Sequence, residues 1–185
     1  MAAPVRIDTS SGDVTVRGGA RELLLDTASG DIRVAGPALA VLEAETASGD
    51  ITLDAGADRV VIDTSSGEAV LRNLRGDLSF SAQSGDVDAR WLRLAAGARI
   101  RVETQSGEVT LRLTAGAPLT GEVKSSSGSI ESEFPGEEDR RGRRFTLPGA
   151  QASAESAPGA GTGSAELSIR TGSGSVRLLE TSPEI

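Results

Sequence analysis

A Ser-Gly pair recurs eight times along the 185 residues, with its glycine at Gly12, Gly30, Gly49, Gly67, Gly85, Gly107, Gly128 and Gly174. The first four steps are 18 or 19 residues, the next two 22 and 21, and the last 46. The surrounding phrase repeats too: "DTASGDIRV" at 26–34 returns as "ETASGDITL" at 45–53, with "DTSSGDVTV" at 8–16 and "DTSSGEAVL" at 63–71. A reaction centre needs to occur once, whereas a unit that cannot bury its own apolar face gains from every added copy. The repetition therefore points to a scaffold.

Apolar and polar residues alternate on both sides of each glycine. Five residues before it stand Ile7, Leu25, Ala44, Ile62, Phe80, Val102, Val123 and Ile169, and two after it Val14, Ile32, Ile51, Ala69, Val87, Val109, Ile130 and Val176. This is the period-two signature of half-buried strands, with no competing helical stripe. Each unit reads as strand, Ser-Gly turn, strand and a variable connection. Two short strands are not stable alone, but stacked units pair each strand with its equivalent about 4.8 Å away. The expected fold is all-β: a parallel β-solenoid of about eight rungs. It forms a single domain over 5–180, built from repeats of 18–22 residues with a loop or hairpin insertion at about 132–164. An antiparallel sandwich also uses many short strands, but does not require one phrase at nearly constant spacing.

Composition narrows the chemistry. The chain contains no His, Cys or Tyr, which removes the usual general base, the thiol nucleophile, disulfides and zinc sites built on imidazole or thiolate. With 37% apolar but only 2% aromatic residues, small and β-branched side chains must fill the interior, which suits a narrow layered core. A net charge of -8 argues against nucleic acid and anionic lipid as partners. No stretch has the length of a membrane span, and "MAAPVRIDTS" has neither the basic nor the apolar segment of an export signal.

Two acidic columns flank the turns. Directly after the glycine lie Asp13, Asp31, Asp50, Glu68, Asp86 and Glu108; four before it lie Asp8, Asp26, Glu45, Asp63 and Glu103. Copies seven and eight abandon both, with Ser129, Ser175, Lys124 and Arg170 in their place. We read the columns as turn-capping, solvated residues that discourage lateral strand pairing, and predict no metal site and no cofactor. Stacked oxygen-rich sites can hold calcium, but the calcium-binding nonapeptide is absent. The acids recur alike, whereas a glycosidase pair needs two carboxylates in different environments, so no catalytic residue is predicted. A third column, Thr9, Thr27, Thr46, Thr64, Thr104, Ser125 and Thr171, points inward at the bend and predicts a hydroxyl ladder.

The long last step holds the one basic cluster, Arg140, Arg141, Arg143 and Arg144, followed by a segment rich in Ala, Gly, Ser and Pro. These arginines are the candidate partner-binding residues; the plainer alternative lays them against acidic neighbours. Phe134, Phe145 and Leu147 imply that part of this arm packs across an open end, and Trp91 reads as a local packing plug.

The phrases "TSSGDV", "TASGDI" and "TQSGEV", and the closing "LSIRTGSGSVRLLE", resemble the adhesin-like toastrack family of bacterial β-strand-repeat proteins, a domain of unknown function, over residues 5–180. The resemblance implies a right-handed single-stranded β-helix in exported or membrane-linked proteins near envelope-stress systems, and carries over no catalytic residue. The leading expectation is a non-enzymatic scaffold or adhesin-like binding domain for a protein or cell-envelope polymer. The second is self-assembly into homo-oligomers through the solenoid ends. A β-helical carbohydrate-active enzyme ranks third, weakened by the repeated chemistry.

Overall fold

The computed structural model describes residues 4–139, 143–148 and 164–181. Among them there is no helix, and strands occur in pairs joined by the Ser-Gly turns. The first six pairs are β1 (Val5–Thr9) and β2 (Val14–Arg17), β3 (Glu22–Ser29) and β4 (Ile32–Ala35), β5 (Leu39–Ser48) and β6 (Ile51–Leu53), β7 (Ala57–Ser66) and β8 (Ala69–Leu74), β9 (Asp77–Ser84) and β10 (Val87–Trp91), and β11 (Arg99–Ser106) and β12 (Val109–Thr114). Then come β13 (Leu119–Ser127) and β14 (Ile130–Ser132), a short hairpin of β15 (Glu137–Glu138) and β16 (Arg144–Leu147), and a last pair of β17 (Ala165–Ser173) and β18 (Val176–Thr181).

The strands before the turns form a ten-stranded sheet in the order β1-β3-β5-β7-β9-β11-β17-β13-β16-β15; those after them form an eight-stranded sheet in the order β14-β18-β12-β10-β8-β6-β4-β2. Every pairing between repeat strands is parallel, and the repeat columns become the register, as in Asp26↔Glu45 and Thr27↔Thr46. Inward residues of both sheets, among them Leu25, Ile32, Ile62, Leu71, Val102 and Val176, join one buried cluster. Trp91 lies within it, with its indole Nε1 donating to the Gly76 carbonyl at 3.0 Å. The buried Thr column does not form a continuous ladder. Thr27, Thr46, Thr64 and Thr104 each donate Oγ1 to the carbonyl of the Ser two residues on, at 3.0–3.2 Å, closing their own turn.

Spatial and chain order part company at the end. The last pair does not stack after the seventh; β17 lies between β11 and β13, and β18 between β12 and β14. The reason is in the inward side chains. The last pair offers Leu167, Ile169, Val176 and Leu178, all at most 1% exposed, each favoured by about 1.5–3 kcal/mol on full burial. The seventh pair places Gly121 and Ser132 where the last pair has Leu167 and Leu178, and Ile130 is only partly buried. An apolar pair belongs inside a stack and a small, polar one at its end. There β16 runs antiparallel on β13, setting Leu147 opposite Gly121 and Phe145 opposite Val123, and covers the core with two buried side chains.

The turns stack as tightly as the strands. Gly67 has φ +130°, and a Cβ there would lie inside van der Waals contact with the Gly49 carbonyl oxygen; Gly12, with φ +105°, has open space instead among the described residues. A left-handed backbone costs a non-glycine residue about 1–3 kcal/mol, and only Gly67 adds a collision. Gly67→Ala is therefore expected to lower the melting temperature by several times the effect of Gly12→Ala. Equal losses in thermal denaturation would contradict the stacked-turn account.

Candidate binding surface

The two acidic columns do different work. In the column after the glycine, each Asp carboxylate turns along the stack and accepts a backbone N–H from the next turn. Asp13 Oδ1 accepts from Asp31 at 3.1 Å, Asp31 Oδ1 from Asp50 at 3.1 Å, Asp50 Oδ1 from Glu68 at 2.9 Å, and Asp86 Oδ1 from Glu108 at 2.7 Å. Glu68 and Glu108, the two glutamates of the column, make no such bond to the next turn among the described residues. Beside them a groove of 310 Å³ is lined by Glu68, Asp86, Asp88, Glu108, Arg112 and Arg177. Asp88 pairs with Arg112, and Glu108 with Arg177. The backbone N–H of Asp50, then the Arg33 guanidinium 2.8 Å away, hold the Asp31 carboxyl below its ordinary range.

The column four residues before the glycine faces outward. Asp8, Asp26, Glu45 and Asp63 stand in direct register on β1, β3, β5 and β7. Asp8 has Arg6 at 4.0 Å, but Asp26, Glu45 and Asp63 are exposed and in no ion pair among the described residues. Further along, cations neutralise the column: Glu103 binds Arg101 at 2.8 Å and Arg170 at 3.3 Å. The acidic face is thus uncompensated over the first half of the stack only. Among the described residues no three acidic groups converge as a metal site would require, and no helix is long and apolar enough to cross a membrane.

Of the four candidate arginines, Arg140 and Arg141 lie outside the described residues. Arg143 and Arg144 are exposed on the hairpin, and their backbone N–H groups both donate to Asp139 Oδ1, at 2.9 and 3.3 Å. The Arg144 guanidinium pairs with Glu122 on β13, which also holds Lys124 at 2.6 Å. Burial pushes the Glu122 carboxyl up, and hydrogen bonds from Lys124 and Arg144 outweigh it, leaving the group below its ordinary range. Arg144 therefore fastens the hairpin to the end of the sheet. The two columns have nearly the same mixture of Asp and Glu, so the sequence carries no signal that separates the bonded from the unbonded acids.

The bound carboxylates make stability depend on acid. The folded-state pKa of Asp31 lies below its ordinary 3.8, so its contribution is complete above that pH and is lost as pH falls through 3.8 towards the lowered value. Asp31→Asn keeps an acceptor oxygen but has no carboxyl to protonate. Its melting temperature is expected to start lower at neutral pH and to fall less steeply in acid than that of the unmodified chain; parallel curves would show that the turn carboxylate does not hold the stack.

No curated protein and no solved structure matches the chain. A family match covers residues 2–179, and together with the Ser-Gly turns and the parallel stacked sheets it identifies the chain as a member of the Toastrack DUF4097 family, a domain of unknown function.

Proposed function

We propose that the chain is a non-enzymatic β-solenoid scaffold whose acidic face binds an extended partner carrying cationic groups, in a protein or a cell-envelope polymer. The observation that carries this reading is the run of Asp26, Glu45 and Asp63, in register and in no ion pair among the described residues. Like charges facing each other on adjacent strands cost about 0.2–1 kcal/mol per pair, and a partner with matching cations removes that cost on binding. The periodicity of strand spacing suits a linear partner better than a compact one. A right-handed coil of about eight rungs belongs to the same reading, supported by the eight Ser-Gly copies and by the right-handed bias of parallel crossovers. So does an adhesin-like role at the cell envelope.

A fluorescently labelled decalysine peptide tests the face. The triple variant Asp26→Asn, Glu45→Gln and Asp63→Asn is expected to bind it about ten-fold more weakly at low salt, with a shallower salt dependence and an undiminished melting temperature. Equal affinity in the two proteins would remove the proposal.

A second reading is association through the first strand pair. There β1 has a neighbour on one side only, Val5 is 40% exposed, and Ile7 and Val16 are partly buried against the core. Light scattering of the unmodified chain is then expected to show mass rising with concentration, and Val5→Lys to suppress the rise; a constant mass would dismiss this reading.

A further inference from the structure

The internal position of β17 and β18 makes the place between β11–β12 and β13–β14 a slot for an inserted strand pair. Four features fit the last segment to it. Ala165 donates to the Pro118 carbonyl at 2.9 Å and Glu166 to that of Ala98 at 2.8 Å, so the segment is gripped from both sides at its start. The turn continues both ladders, with Gly107 N–H donating to Ser173 and Gly174 N–H to Ser127. Arg170 binds Glu103, while Arg177 binds Glu108 on one side and Glu131 on the other. Leu167, Ile169, Val176 and Leu178 fill the core at that level.

Nothing in these contacts depends on which molecule supplies the segment. Within one chain it arrives through 17 residues, 148–164. Leu147 stands opposite Gly121 and Ala165 opposite Leu119, with β13 between their strands. Two strand spacings across and two residues along place those ends roughly 12 Å apart, which about four residues would cross. The 17 residues present can span up to about 60 Å. That excess reaches a neighbouring molecule, and exchange of identical elements forms a closed dimer without loss of contacts.

We propose that the slot accepts residues 164–181 of a second copy, so that two molecules exchange their C-terminal strand pairs. The interface is separate from the acidic face and from the β1 end, and does not rest on either reading of function. Exchange requires the slot to open, so it is expected on refolding at millimolar protein, where a second copy competes with the tethered segment, and is minor at micromolar protein.

The absence of cysteine gives a direct test. Ser106 and Ser173 are exposed neighbours whose Oγ atoms lie 3.3 Å apart. Full-length Ser106→Cys and full-length Ser173→Cys are mixed in denaturant at millimolar concentration, refolded together and oxidised with diamide. The expected product is the disulfide-linked heterodimer in large excess over either homodimer, and the same proteins folded apart and then mixed give little of it. The double variant Ser106→Cys/Ser173→Cys, refolded dilute, is expected to close its disulfide within one chain, which verifies folding and sulfur geometry. Light scattering of the unmodified chain refolded at millimolar protein is expected to show a species of twice the chain mass, and Val5→Lys leaves it in place. A statistical mixture of covalent dimers, or the absence of the double-mass species, overturns the exchange.

Discussion

Each Ser-Gly turn after the first rests on a neighbouring turn, with the glycine carbonyl of one turn occupying the space a side chain of the next would need. Stacked parallel strands fix that separation, because the backbone ladders on either side of the turn admit only one spacing. At Gly30, Gly49, Gly67, Gly107 and Gly174 glycine is thus demanded by the neighbour as well as by a left-handed backbone. Once the turns are in contact, the Asp that follows four of the glycines is within reach of the next N–H, the Thr before the turn can close it, and the inward columns on both sheets come into register. Those contacts all depend on the fit at the turn.

Much of this is legible in the residues. The constant spacing from Gly12 to Gly85 fixes the parallel register, and the inward residues such as Leu25, Ile62 and Val102 follow from alternation. The placement of the last pair is not carried by the repeat, because copies seven and eight have the same turn and would stack equally well by the turn alone. It is carried by what surrounds the turn: Gly121 and Ser132 are unsuited to an interior level, and Leu167, Ile169, Val176 and Leu178 are unsuited to an end. The division of labour between the acidic columns is likewise hidden, since periodicity assigns Asp26 and Asp31 to columns without saying which carboxylate lies along the stack and which stands away from it.

The charges follow the same spatial order. Lys124 and Arg170 replace acids in the outer column, and the out-of-order insertion sets Arg170 beside Glu103 and Arg177 between Glu108 and Glu131. Such exposed pairs are individually weak, but they fall where the last segment must choose its level. They oppose like-charge repulsion in the part of the stack farthest from β1. Asp26, Glu45 and Asp63 have no such partners among the described residues. The ten-stranded sheet therefore carries an acidic region at Asp26, Glu45 and Asp63 and a balanced one at Glu103 and Arg170.

The two ends of the chain also differ in how they would bear force. A pull on Val5 loads β1, which has a ladder on one side, so the strands at that end can peel away in sequence. A pull on Thr181 loads β18, held between β12 and β14 and joined through its turn to β17, which is held between β11 and β13. Four ladders then resist together. Insertion of the last segment gives the scaffold a grip at β18 that β1 lacks, so tension between the two would be released from the first strand pair inward while β18 stays anchored.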